Sequence, residues 1–133
     1  SYNNYWFFCG AESEAGSLSY LRGALYDGTN NPIISGSTPL STGIFYHIAF
    51  VRDVVADTLN LFLNGASNAA PISDTTTSVP GYSAFAIGCN YRTVTPIAFF
   101  AGQGGTLLSI ISLALSVTEI ANHRNQTKHL FGV

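Results

Sequence analysis

Glu12 and Glu14 stand two residues apart and would share one face of an extended strand. Paired carboxylates of that kind hydrolyse glycosidic bonds when they are held rigidly about 5 to 9 Å apart. Here they lie in Gly10-Ala11-Glu12-Ser13-Glu14-Ala15-Gly16, a small-residue stretch that reads as a solvated loop between strands. The third acidic residue of such a pattern is missing, so hydrolysis is not expected. His47, His123 and His129 are scattered, and their spacing matches no metal motif. His47 alternates with Phe45, Ala49 and Val51, which reads as a hydrogen-bonded strand histidine. The serines lack a Gly-x-Ser-x-Gly elbow, and no catalytic triad is visible.

Calcium is the metal to weigh, with Asp27, Asp53, Asp57 and Asp74 as the available carboxylates. The ion takes six to eight oxygens from convergent loops. Asp27 precedes Gly28 and is explained by turn chemistry, while Asp53 and Asp57 flank a hairpin turn. No cofactor or metal is therefore expected, and calcium is the single ion these carboxylates leave open. Cys9 and Cys89 form the only possible disulfide, a bond that spacing alone does not decide; Cys9 shares parity with Tyr5 and Phe7, and Cys89 with Phe85 and Ile87, so both thiols are expected free and in apolar surroundings. Asn125-Gln126-Thr127 is a glycosylation sequon.

A last constellation is aromatic and rich in amides: Tyr2, Asn3, Asn4, Tyr5 and Trp6, with Tyr82 and Asn90-Tyr91-Arg92 further on. Aromatic faces cover the C–H patches of sugars, and Asn or Arg donors meet sugar hydroxyls. Taken singly, each of these residues is better explained by packing or by an ordinary turn.

These side chains must be positioned by a single domain, since 133 residues suffice to bury a core without staples. Charged residues are 9% of the chain and hydrophobic ones 47%, so low charge does not signal disorder. A net charge of −2, with Lys128 the single lysine, offers no basic stripe, and nucleic acid is excluded as an expected partner. Residues 93–118 carry no charge, yet Pro96 and Gly102-Gln103-Gly104-Gly105 interrupt them, so a buried sandwich strand explains the run better than a membrane span.

Strands are predicted at 5–9, 17–21, 24–26, 43–52, 58–63, 84–89, 97–100 and 107–113. Leu59, Leu61 and Leu63 share one face of their strand, while Thr58, Asn60 and Phe62 share the other. Asn64-Gly65 supplies a tight turn. Ser116-Val117-Thr118-Glu119 matches a capping box, with Ile120 through Arg124 continuing as a short helix.

Three segments in order resemble the concanavalin A-like, laminin G-like and pentraxin-like jelly rolls. They are Phe45-Tyr46-His47-Ile48-Ala49-Phe50-Val51-Arg52-Asp53 with its leucine strand and Asn-Gly turn, then Phe85-Ala86-Ile87-Gly88, then Ala114-Leu115-Ser116-Val117-Thr118-Glu119-Ile120. Phe100-Ala101-Gly102 departs from the family's step before the last strand, because no aspartate follows it. The resemblance implies an all-β, antiparallel two-sheet sandwich with one short C-terminal helix, a single laminin G-like domain over residues 1–133 that lacks the family's opening strands.

The function implied is a non-catalytic surface recognition module binding glycans, extracellular or on a virion. The competing class is a structural or adhesion module that contacts only protein, as in a viral or phage assembly. The candidate ligand residues are Tyr82, Asn90, Tyr91 and Arg92, with Trp6. A short start implies that a neighbouring chain or an upstream segment completes a sheet beside residues 5–9 or a central strand. Low charge, with few Lys or Glu gatekeepers, agrees with association.

Overall fold

The computed structural model describes residues 5–12, 18–77 and 109–131. They run as β1 (Tyr5–Glu12), β2 (Ser19–Asp27), β3 (Ile33–Leu40), β4 (Ile48–Asp53), β5 (Thr58–Leu63), β6 (Ala66–Ser67), β7 (Ile72–Ser73), α1 (Val117–Thr127) and a 3-10 turn at Lys128–Phe131. Strands β1-β2-β3 form one antiparallel sheet, and β4-β5-β6, with β7 also on β5, form a second. The described residues are therefore mostly β, with two antiparallel sheets and one short C-terminal helix.

The alternating leucines of β5 place the core. Leu59, Leu61 and Leu63 are buried against Leu21, Leu25 and Ile34 of the facing sheet. Each such side chain contributes about 2 kcal/mol on burial, more than a partly exposed ion pair, so this cluster holds the sheets together. Cys9 pairs with Gly23 and packs against the same cluster with a free thiol, which burial pushes up to about 12. Cys89 lies outside the described residues.

Several expected boundaries move, each for a local reason. Residues 17–21 and 24–26 were expected as separate strands, but β2 is continuous through Gly23. This glycine marks a close approach instead of a break, because an added Cβ would stand 2.6 Å from Phe50 Cδ2 on the opposite sheet. β1 runs on to Glu12, which pairs with Tyr20, so Glu12 lies on a strand and not in a loop.

β3 was not expected, because Pro39 and Gly36 argue against a strand. Its register shifts between Tyr20 and Arg22, where Gly36, Ser37 and Thr38 stand opposite Leu21 alone. Ser37 there turns its amide (2.8 Å) and hydroxyl (3.0 Å) to the Asn68 carbonyl beyond β6. That bulge ties the two sheets.

The strand expected over 43–52 begins only at Ile48. Gly43, at φ +78°, turns the chain, and Tyr46 Oη accepts from the Ser41 amide at 3.0 Å. Of the strand expected over 107–113, the described residues 109–113 are irregular, with Ile110 and Leu113 exposed. An apolar run does not by itself specify a strand. The strands expected at 84–89 and 97–100 lie outside the described residues.

The helix is longer than expected and its cap is as expected. Glu119 N donates to Ser116 Oγ at 3.3 Å, and Ser116 N donates to Glu119 Oε2 at 2.8 Å. From that capping box α1 extends to Thr127, anchored by the buried Ile120. No helix among the described residues is long and apolar enough to cross a membrane.

Candidate functional site, a groove on the outer face of the second sheet

With Leu59, Leu61 and Leu63 turned inward, the pleat turns Thr58, Asn60 and Phe62 outward. Antiparallel pairing sets Asp53 beside Thr58, Val51 beside Asn60, and Ser67 beside Phe62. The segment leading into α1 passes over this face, and together they enclose a groove of about 380 Å³. Val51, Phe62, Leu115 and Val117 supply apolar walls, while Asp53, Thr58, Asn60, Ser67 and Ser116 supply polar groups. Asn60 Nδ2 donates to Thr58 Oγ1 at 3.2 Å, which fixes the amide within the groove. Apolar floor with convergent hydroxyl, amide and carboxyl groups is the composition of a small-ligand site.

At the turn end of β4 and β5, three of the four aspartates considered for calcium, Asp27, Asp74 and Asp53, are found in separate hydrogen-bond sets. Asp27 Oδ1 accepts from the Asn30 (2.7 Å) and Thr29 (2.9 Å) amides, and Oδ2 accepts from the Thr77 amide (2.8 Å) and Asn30 Nδ2 (3.1 Å). The Asn30 amide first, and the Thr77 amide next, hold this carboxyl well below the usual range. Asp74 pairs with Arg52 and accepts from the Thr76 amide at 2.9 Å and from its hydroxyl. Burial works to raise its pKa, and the Thr76 and Arg52 bonds outweigh it, so the net direction is down. Asp53 Oδ1 accepts from the amides of Val55 and Ala56 at 3.0 Å. Among the described residues no three metal-ligating side chains converge.

At the opposite end, the Asn64-Gly65 turn has φ of +52° and +80° and closes β5 onto β6, with Leu63 opposite Ala66. His47 precedes β4 there. Its amide donates to Asn64 Oδ1 at 3.1 Å, and its carbonyl accepts from the Asn64 amide at 2.7 Å. Its ring leaves the sheet for the helix, where Nε2 lies 3.2 Å from His123 Nδ1. Burial, with His123 and Arg124 next, lowers the His47 pKa below its ordinary value. His47 is hydrogen-bonded as expected, but it precedes β4 instead of standing on a strand. Its partner, 76 positions away in sequence, could not be seen from spacing.

Of the candidate ligand residues, Trp6 lies on β1 opposite Tyr26. Tyr82, Asn90, Tyr91 and Arg92 lie outside the described residues. Thr58, Asn60 and Phe62 were legible as the outer face of an alternating strand, and that polar face was the signal for the groove. Nothing in the sequence placed Leu115, Ser116 and Val117 over it.

This architecture is that of the lectin-like sandwiches. The sequence model of the concanavalin A-like lectin/glucanases superfamily matches residues 1–121. The chain belongs to that superfamily. No curated protein matches the chain. A solved structure, residues 221–444 of an S-layer domain-containing protein from Clostridium thermocellum ATCC 27405, is similar with a TM-score of 0.52 at 18% identity. The match covers 92% of this chain and 64% of that one, so this chain spans a little under two thirds of that structure's length. At that identity the likeness is one of fold.

Proposed function

We propose that this chain is a non-catalytic recognition module of an extracellular or surface-exposed protein, and that its groove binds a glycan. The observation carrying this reading is the pairing of apolar walls (Val51, Phe62, Leu115, Val117) with Asp53, Thr58, Asn60, Ser67 and Ser116 in one groove. A sugar presents C–H patches and hydroxyls in that same alternation. Superfamily membership supports a binding role, and the S-layer domain-containing neighbour supports a surface location. Among the described residues Asp53 is the groove's single carboxylate, and a glycosidase of either stereochemistry uses two. The proposed module works without calcium, a part of the reading supported by the protein donors that meet Asp27 and Asp74.

A second reading, a structural or adhesion module contacting only protein, is favoured by the exposure of Val55 (98%), Ile110 (76%) and Leu113 (74%). Glycan-array screening of the chain separates the two. Selective glycan binding supports the first, and an assembly through a large protein interface without any glycan binding supports the second.

A further inference from the structure

We propose that His47 and His123 form a two-imidazole site for a divalent transition-metal ion of the zinc and nickel class, joining α1 to the start of β4. His47 Nε2 and His123 Nδ1 face each other at 3.2 Å, with ring centroids 5.4 Å apart and planes tilted by 48°. Two nitrogens bound to one tetrahedral ion at about 2.0 to 2.1 Å stand about 3.3 Å apart, so the spacing matches, and the rings need to turn their lone pairs off the line between them to share an ion. Each neutral imidazole carries one N–H, and binding needs both protons on the far nitrogens, His47 Nδ1 and His123 Nε2. The latter already faces Ser109 Oγ at 3.5 Å, while His47 Nδ1 is buried without a hydrogen-bond partner among the described residues, so its proton is a cost that metal binding must offset. Both histidines are half-buried, and the remaining coordination positions would have to be filled by water.

The two ligands are held by rigid elements, so little ordering opposes binding. Asn64 fixes the His47 backbone from both sides. His123 sits within α1, its carbonyl accepting from Thr127 Oγ1 at 2.9 Å. Gly65 seats the helix on the turn, since a Cβ there would lie 3.1 Å from Ala121 Cα. No third His, Cys, Asp or Glu joins the pair among the described residues, so the site is labile and not a closed structural one. Arg124, whose Cδ lies 3.2 Å from that same Cβ position, is the unfavourable charge beside the site. Imidazole selects zinc, nickel or copper over calcium and magnesium, which prefer oxygen.

The test is calorimetric titration and thermal melting of the chain with zinc chloride and nickel chloride, against calcium chloride and magnesium chloride. One equivalent of zinc or nickel should bind and raise Tm by about 3 °C or more at saturating excess, because the ion binds only the assembled pair. His47→Gln and His123→Gln should each weaken binding at least tenfold. Arg124→Gln, which keeps both ligands, should bind several-fold more tightly. Absence of stoichiometric binding, binding that survives either histidine substitution, or affinity unchanged in Arg124→Gln would overturn the proposal. The groove's glycan binding is independent of all these outcomes.

Discussion

The Phe50 ring lies so close over Gly23 that a methyl group there would stand 2.6 Å from Phe50 Cδ2 and 2.7 Å from Cε2. The sheets meet at this contact beside the leucine core, and the spacing tolerates no side chain on β2 at that point.

Gly23→Ala should therefore destabilise the fold by about 2 kcal/mol, the cost of overpacking a fitted contact. Urea unfolding monitored by fluorescence measures it. Phe50→Leu made in the same chain should recover part of the loss, since the two residues share one contact. Additive losses in the double variant would show that the contact is not the cause.

Acid should act through Asp27 and Asp74, whose folded pKa values are both lowered from 3.8. A carboxyl lowered on folding contributes stability that is fully present above its unfolded pKa and is lost as pH falls through the folded one. The loss from this pair should begin near pH 4 and deepen below it. Tm measured from pH 6 to pH 2 for the wild type and for Asp74→Asn tests this. The variant should be less stable at pH 6 and should show the shallower decline, and parallel curves would contradict the assignment.

Ser116→Ala removes the hydroxyl that accepts from Glu119 N and leaves a first-turn amide without its cap. The expected cost is about 1 kcal/mol. Because Leu115, Ser116 and Val117 also line the groove, hydrogen exchange in the first turn of α1 should rise more than exchange in β5. Uniformly faster exchange across both would point to global destabilisation alone.

Cys9, with its thiol pushed up to about 12 by burial, should resist iodoacetamide at pH 8 in the folded chain and react on unfolding, because the thiolate is the nucleophile. Mass spectrometry of peptides containing Cys9 reads the result. Rapid native alkylation would mean that the thiol is open to water.

The sequence made the second sheet legible because its signals were local. Alternation of Leu59, Leu61 and Leu63 with Thr58, Asn60 and Phe62 placed both faces of β5, and Asn64-Gly65 and Ser116-Val117-Thr118-Glu119 marked a turn and a cap through their own backbone chemistry. The first sheet was less legible because its glycines serve contacts that are distant in sequence. Gly23 answers to Phe50, and Gly36 answers to Asn68, whose Nδ2 lies 2.1 Å from where a Cβ would be. Read locally, both are breakers. The same limit applies to the sites: Asn60 and Thr58 could be assigned to an outer face, but the meeting of His47 with His123, and of Leu115 with Phe62 across the groove, depends on how the chain returns after the sandwich is built.

The most direct measurement is isothermal titration of the strongest glycan from an array screen into wild type, Asn60→Ala and Ser67→Ala. Asn60 is half-buried and Ser67 is exposed, so neither substitution opens the core. Each removes a polar group from the groove, and loss of a hydrogen bond worth about 1 kcal/mol corresponds to about fivefold weaker affinity. The account predicts a loss of about that size or larger in each variant with the Tm of the fold retained. Undiminished binding in both variants would contradict the placement of the glycan in this groove.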